Sequence, residues 1–185
     1  MSAILMSIKP KWCELIFSGK KTIEVRKTVP KLEPPYKVYV YDTKKAFDIT
    51  DIYDLSTDVV RKVADGRGKV IGEFVCDKVI EYGYDVIACA KFEVNGAYVK
   101  EENRYNAGAC LSAEEMYEYS KGKSLYGLHI TKPKRYDTPK ALSEFRKPDI
   151  WYKTETGNTS TLVHETGTAI TRPPQSWMYV EEIEE

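Results

Sequence analysis

Between Ile4 and Arg26 the spacing of apolar residues changes twice, and few folds accommodate both changes. Ile4, Met6 and Ile8 alternate with Leu5, Ser7 and Lys9, the two-residue period of a strand over residues 3–9. Pro10 then suits the first turn of a helix, where its missing N–H costs nothing. Trp12, Leu15 and Ile16, at i, i+3 and i+4, make one apolar face over residues 10–18, with Phe17 beside it. Gly19 supplies the left-handed position that ends such a helix, and Lys20 and Lys21 stand where the helix dipole favours cations. From residue 21 the two-residue period returns, with Ile23 and Val25 alternating with Thr22, Glu24 and Arg26. One face of that strand is apolar, and the other carries a hydroxyl, a carboxylate and a guanidinium. Any chemistry is expected to begin there.

At 185 residues the chain suits one domain with a sizeable core. Hydrophobic residues make up 42% and charged residues 30%, the balance of a globular protein rather than a disordered one. No apolar run approaches the ~20 residues that a membrane span needs. The N-terminal Ala-Ile-Leu-Met-Ser-Ile is too short for a signal-peptide core, so a cytoplasmic protein is expected. Cys13, Cys76, Cys89 and Cys110 form no C-x-x-C pair, and only His129 and His164 could join them. Buried free thiols are therefore expected, with no metal site and no cofactor. Net charge is zero, yet residues 9–45 hold ten basic side chains against four acids. That split points to an anionic partner for the N-terminal third.

Further strands are expected at 37–41, 69–80 and 124–131, and a last short one before the acidic end. A helix from near Ser56 or Thr57 to Gly66 is suggested by Val59, Val60 and Val63. Ser112 with Glu115 three residues later forms a capping box for a helix reaching about Ser120. Thr138-Pro139 caps a short helical turn containing Leu142 and Phe145. Residues 153–170, rich in Thr, Gly and Asn, read as a loop or exposed hairpin, and residues 83–110 carry no clear period. In the strand at 69–80, Glu73 shares a parity with Ile71 and Val75. A carboxylate there lines a groove, is paired inside, or sits at an open edge. Gly72 beside it lets another group approach closely. Several short strands with a few inserted helices suggest an α+β, mostly β domain built as a small barrel.

Four segments carry a family resemblance. They are Ser7-Ile-Lys-Pro10, Ile16-Phe-Ser-Gly-Lys-Lys-Thr-Ile-Glu-Val-Arg26, Gly68-Lys-Val-Ile-Gly-Glu-Phe74 and Leu125-Tyr-Gly-Leu-His-Ile130. Together they resemble the activating-signal-cointegrator homology (ASCH) domain of the PUA-like superfamily. The Arg172-Pro-Pro-Gln-Ser-Trp177 segment resembles short prophage and bacterial members. The resemblance implies a PUA-like β-barrel with helices inserted around it over residues 3–147. Residues 148–185 are then a C-terminal extension packing on the same domain. It further implies a basic cleft between the first helix and the barrel that binds RNA or a nucleotide.

Lys9, Lys21, Thr22, Glu24 and Arg26 are the binding candidates, with Glu73 placed by position at the same cleft. Lys9 and Lys21 offer compact charge to a phosphate, and Arg26 could clamp one bidentately or stack on a base. Glu24 could accept from an exocyclic amine. Lys21 reaches the cleft only if the strand begins irregularly after Gly19, since its parity differs from that of Glu24 and Arg26. Tyr39 and Tyr41 are candidate stacking platforms, as is Trp177. The competing reading pairs Glu24 with Arg26 across the sheet and makes the tyrosines ordinary strand residues.

The alternative function is a small hydrolase acting on a modified nucleoside (an amidohydrolase) or on RNA (a ribonuclease). Lys21, Glu24 and Glu73 would then be its catalytic residues. The amidohydrolase branch resembles Lys-Thr-Ile-Thr-x-Arg, and Glu24 stands here where that branch has its second Thr. The nucleophilic hydroxyl of that mechanism is therefore missing. Glu73, with apolar neighbours raising its pKa, is the expected base in this alternative. A third reading is a protein-interaction domain. Whether the chain is an enzyme, and its oligomeric state, are left open by the sequence.

Overall fold

The computed structural model describes residues 2–44, 66–92, 108–156 and 159–183. Among them a six-stranded mixed sheet has the order β2-β5-β4-β3-β1-β8, formed by β1 (Ser2–Ile8), β2 (Ile23–Arg26), β3 (Tyr36–Asp42), β4 (Val70–Tyr82), β5 (Leu125–Lys140) and β8 (Trp177–Glu181). β1 and β3 run parallel, and the other neighbours are antiparallel. β6 (Ile150–Thr156) and β7 (Thr159–Glu165) make a separate hairpin, one of the two forms expected for that stretch. The helix suggested by Val59, Val60 and Val63 falls almost wholly outside the described residues.

The sheet is not closed by a hydrogen-bonded ladder, but side chains bridge its two ends. Arg26 Nη2 on β2 donates to the Ser7 carbonyl on β1 at 2.8 Å. Trp177 Nε1 on β8 donates to the Thr28 hydroxyl at 3.1 Å, and the Tyr179 hydroxyl accepts from the Lys31 N–H at 2.8 Å. The mostly β, barrel-like class is as expected, with its seam laced by side chains.

Three apolar clusters fill the molecule. α1 (Pro10–Phe17) covers the first, where Cys13 and Ile16 join Ile4, Met6, Ile8, Val38, Val40, Phe74 and Leu128. Leu15 is only half-buried, because the helix presents its Pro10–Cys13–Ile16 stripe to the sheet. The second cluster, on the other face of the same strands, gathers Leu5, Tyr39, Tyr41, Phe145 and Val180. The third holds Ile23 and Val25 against α2 (Tyr84–Phe92) and α3 (Ala113–Ser120). α3 starts on the expected capping box: the Ser112 hydroxyl accepts from Glu115 N–H at 3.1 Å, and the Glu115 carboxylate accepts from Ser112 N–H at 2.7 Å.

Gly72 is where α1 meets the sheet closely. A Cβ there would lie 2.6 Å from the Phe17 ring and run into the Lys134 carbonyl, so the glycine is a steric requirement. Arg135 on β5 ties the helix down from the side, with two bonds of 2.8 and 2.7 Å to the Glu14 carboxylate.

Since Ile16 is fully buried beneath this helix, Ile16→Ala is expected to lower unfolding free energy by about 2–5 kcal/mol. Chemical denaturation measures it; a loss below ~0.5 kcal/mol would mean that α1 is not docked.

Candidate functional site

Lys21 and Thr22 precede β2 and are not part of its ladder. Lys21 N–H donates to the Leu15 carbonyl at 2.8 Å, and Thr22 N–H to the Gly108 carbonyl at 2.8 Å. This irregular entry swings Lys21 to the side of the strand that carries Glu24 and Arg26, meeting the condition that the sequence imposed. A cavity of about 410 Å³ opens there, between α1 and the seam of β1 and β2. That volume is within the range of small-molecule sites. Its wall includes Lys9, Lys21, Glu24 and Arg26, with Ser7, Trp12, Thr43, Leu111, Tyr119 and Gln175.

The polar part of the wall is a buried chain of charges. Lys21, Glu24 and Arg26 are 2%, 5% and 9% exposed. Lys21 Nζ lies 3.5 Å from Glu24 Oε2, and Arg26 Nη2 lies 3.0 Å from Glu24 Oε1. Lys21 also donates to the Ala109 carbonyl and sits 4.9 Å from the centre of the Trp12 ring. Burial pulls its ammonium below the usual lysine range, and the Glu24 carboxylate opposes that pull. Two cations against one carboxylate leave the cavity wall net positive, and the exposed Lys9 adds charge at the rim.

The other candidates lie elsewhere. Thr22 is exposed and holds its neighbours through main-chain bonds. Tyr39 is packed edge-on against Phe145 at 4.9 Å, and its hydroxyl accepts from Ile183 N–H at 2.9 Å. Tyr41 is buried in the same second cluster, so neither tyrosine reaches the cavity. Trp177 stacks edge-on with Tyr179 and laces the seam.

Glu73 does not share a face with Ile71. The β3–β4 and β4–β5 ladders both shift register beside Ile71, which turns it toward Phe74 and leaves Glu73 opposite Tyr39. There Glu73 accepts from the Tyr136 hydroxyl at 2.6 Å and pairs with Lys37 at 3.6 Å. It is on the sheet face away from α1.

Sequence reasoning missed Thr43, Leu111, Tyr119 and Gln175 as cavity residues, and it counted Asp42 only as one acid in a basic window. Asp42 is fully buried at the end of β3, with both carboxyl oxygens unpartnered among the described residues. A carboxylate directly after Val-Tyr-Val-Tyr was the available signal. Burial pushes its pKa up to about 7; the Glu14 charge adds to the rise, while Arg67 and Arg135 oppose it. Among the described residues no group of three or more His, Cys, Asp or Glu could hold a metal ion. No described helix is long and apolar enough to cross a membrane.

A curled, mostly β sheet with its first helix laid beside a charged seam defines a class of small β domains with a lateral cleft beside that helix. The chain belongs to the ASCH domain family, whose model matches residues 6–134. Solved structures of the ASCH protein from Zymomonas mobilis share the fold at 15–16% identity. A tyrosine-to-phenylalanine variant superposes with a TM-score of 0.55, covering 97% of this chain and 91% of its own. A serine-to-alanine variant gives 0.56 over 97% and 89%, and the unsubstituted protein 0.52 over 97% and 88%. No curated protein matches the chain.

The folded state favours the protonated Asp42, so its contribution is fully present below pH ~4 and lost as pH rises through about 7. Asp42→Asn is therefore expected to gain about 2 kcal/mol relative to the parent between pH 5 and pH 8. Paired urea titrations at the two pH values read the difference; a constant offset would contradict the assignment.

Proposed function

We propose that this protein binds RNA or a nucleotide in the cavity beside α1. The observation that carries the reading is the convergence of Lys21, Glu24 and Arg26 on one wall, net positive, with Trp12 and Tyr119 lining the same space. Buried cations facing a cavity favour an anionic or strongly polar ligand, and aromatic walls favour a flat one. Lys9 at the rim is free to meet a phosphate. In the same reading residues 3–147 form the domain and residues 148–185 an extension completing it, since β8 pairs with β1 and Gln175 reaches the cavity.

A hydrolase is the second reading, favoured by one contact. Lys21 is a buried lysine with a lowered pKa, set 3.5 Å from a carboxylate, the pairing a proton-transfer site requires. Glu73 takes no part in it, being on the other face of the sheet. Lys21 and Glu24 would carry the chemistry, on an acylated nucleoside or on RNA.

Titration of short single-stranded RNA and of mononucleotides over several salt concentrations tests the first reading. Lys9→Ala is expected to weaken binding and to flatten the salt dependence by about one phosphate contact. Lys147→Ala, on the exposed segment beside Thr168, should change neither. If both variants behave alike, the cavity is not the site. For the second reading, Glu24→Gln should remove turnover of an N4-acylated cytidine, or of RNA with magnesium or manganese; absence of turnover by the parent protein excludes it.

A further inference from the structure

The buried charges largely satisfy one another, and that decides what they can offer a ligand. Both two-pronged edges of a guanidinium include Nη2, the geometry by which arginine clamps a phosphate. In Arg26 that nitrogen already serves Glu24 at 3.0 Å and the Ser7 carbonyl at 2.8 Å. Nε is enclosed and unpartnered among the described residues, so neither fork is wholly free. A phosphate fork on Arg26 would have to displace one of those two partners. The Thr43 hydroxyl on the same wall is likewise buried and unpartnered. Of the three cations lining the cavity, Lys9 is the exposed one, at the rim.

An accessible hydrogen-bonding group on the cavity wall comes from beyond the family-matched residues 6–134. Gln175, an exposed residue, lines the cavity, and its amide has no partner among the described residues. Its main chain is held on both sides by one residue. Ser7 Oγ donates to the Pro174 carbonyl at 2.6 Å, and Ser7 N–H donates to the Ser176 carbonyl at 3.0 Å. The residue that fixes Arg26 from β1 thus also fixes the backbone on either side of Gln175. An amide carries a donor and an acceptor side by side, as does the polar edge of a nucleobase.

We propose that the ligand enters ring first, with its phosphate left at the rim, and that Gln175 reads the polar edge of the ring. The proposal deepens the nucleotide-binding reading above and rests on it. Equilibrium titrations with the four nucleosides, their 5′-monophosphates and inorganic phosphate test it, with thermal midpoints confirming that the variants fold. The parent protein is expected to prefer one nucleoside, to bind its monophosphate at least as well, and to ignore inorganic phosphate. Gln175→Ala should weaken binding of the preferred nucleoside about tenfold and leave the others unchanged, levelling the series. Gln175→Glu, which loses the amide donor but keeps acceptors, should reorder it.

Equal affinity of the parent for all four nucleosides overturns the proposal, as does an unchanged ranking in Gln175→Ala. Displacement by inorganic phosphate overturns it as well, and so does binding of monophosphates or RNA without any nucleoside. Each of those results leaves nucleotide binding standing. Failure of the parent protein to bind nucleosides, nucleotides or RNA overturns both readings together.

Discussion

The hydrogen bond from Arg26 to the Ser7 carbonyl joins two strands that no ladder connects. β2 lies at one end of the sheet and β1 next to the other end, so the curl of the sheet depends on what crosses the seam. A buried guanidinium needs a counter-charge, and Glu24 two residues earlier on the same strand face supplies it. Glu24 in turn needs more than one donor, and Lys21 reaches it because the chain enters β2 irregularly. The three charges are therefore one unit. Buried ion pairs are poor sources of net stability, since desolvating them offsets most of their attraction. Replacing such pairs by well-packed apolar residues of similar volume is often neutral or stabilising. The three charges also line the cavity, the role that the proposed binding reading gives them.

Much of this arrangement was legible in the chain. Pro10 and Gly19 bound the first helix closely, and the alternation through Glu24 and Arg26 placed both on one strand face. The Ser112–Glu115 box marked the start of α3, and Gly72 marked a close approach that Phe17 turns out to make. These signals are local, so nothing distant could overrule them.

What was not legible depended on tertiary context. The register shifts beside Ile71 reverse the parity on which the placement of Glu73 relied, and a bulge leaves no mark in a two-residue period. β3 is buried on both faces, so alternation could not say that Tyr39 and Tyr41 point into the second cluster rather than into a cleft. α2 has a weak apolar face and escaped notice between stretches without a period. Gln175 reaches the cavity through contacts about 168 residues apart in sequence, a separation that no spacing rule spans.

The placement of α1 bears on how the cavity is used. Arg135 holds Glu14 in a two-bond pair, Phe17 lies on Gly72, and Cys13 and Ile16 are sealed in the first cluster. Moving the helix away from the sheet would break all of these together, and would expose Asp42 behind them. Trp12, the aromatic wall, is carried on this anchored element, while Lys21 is tied to it through the Leu15 carbonyl. The opposite wall is held by the bonds at Ser7. Both sides of the cavity are thus fixed by interactions that do not involve a ligand. On the proposed binding reading, a ligand would meet a shape already present, with little reorganisation to offset its binding.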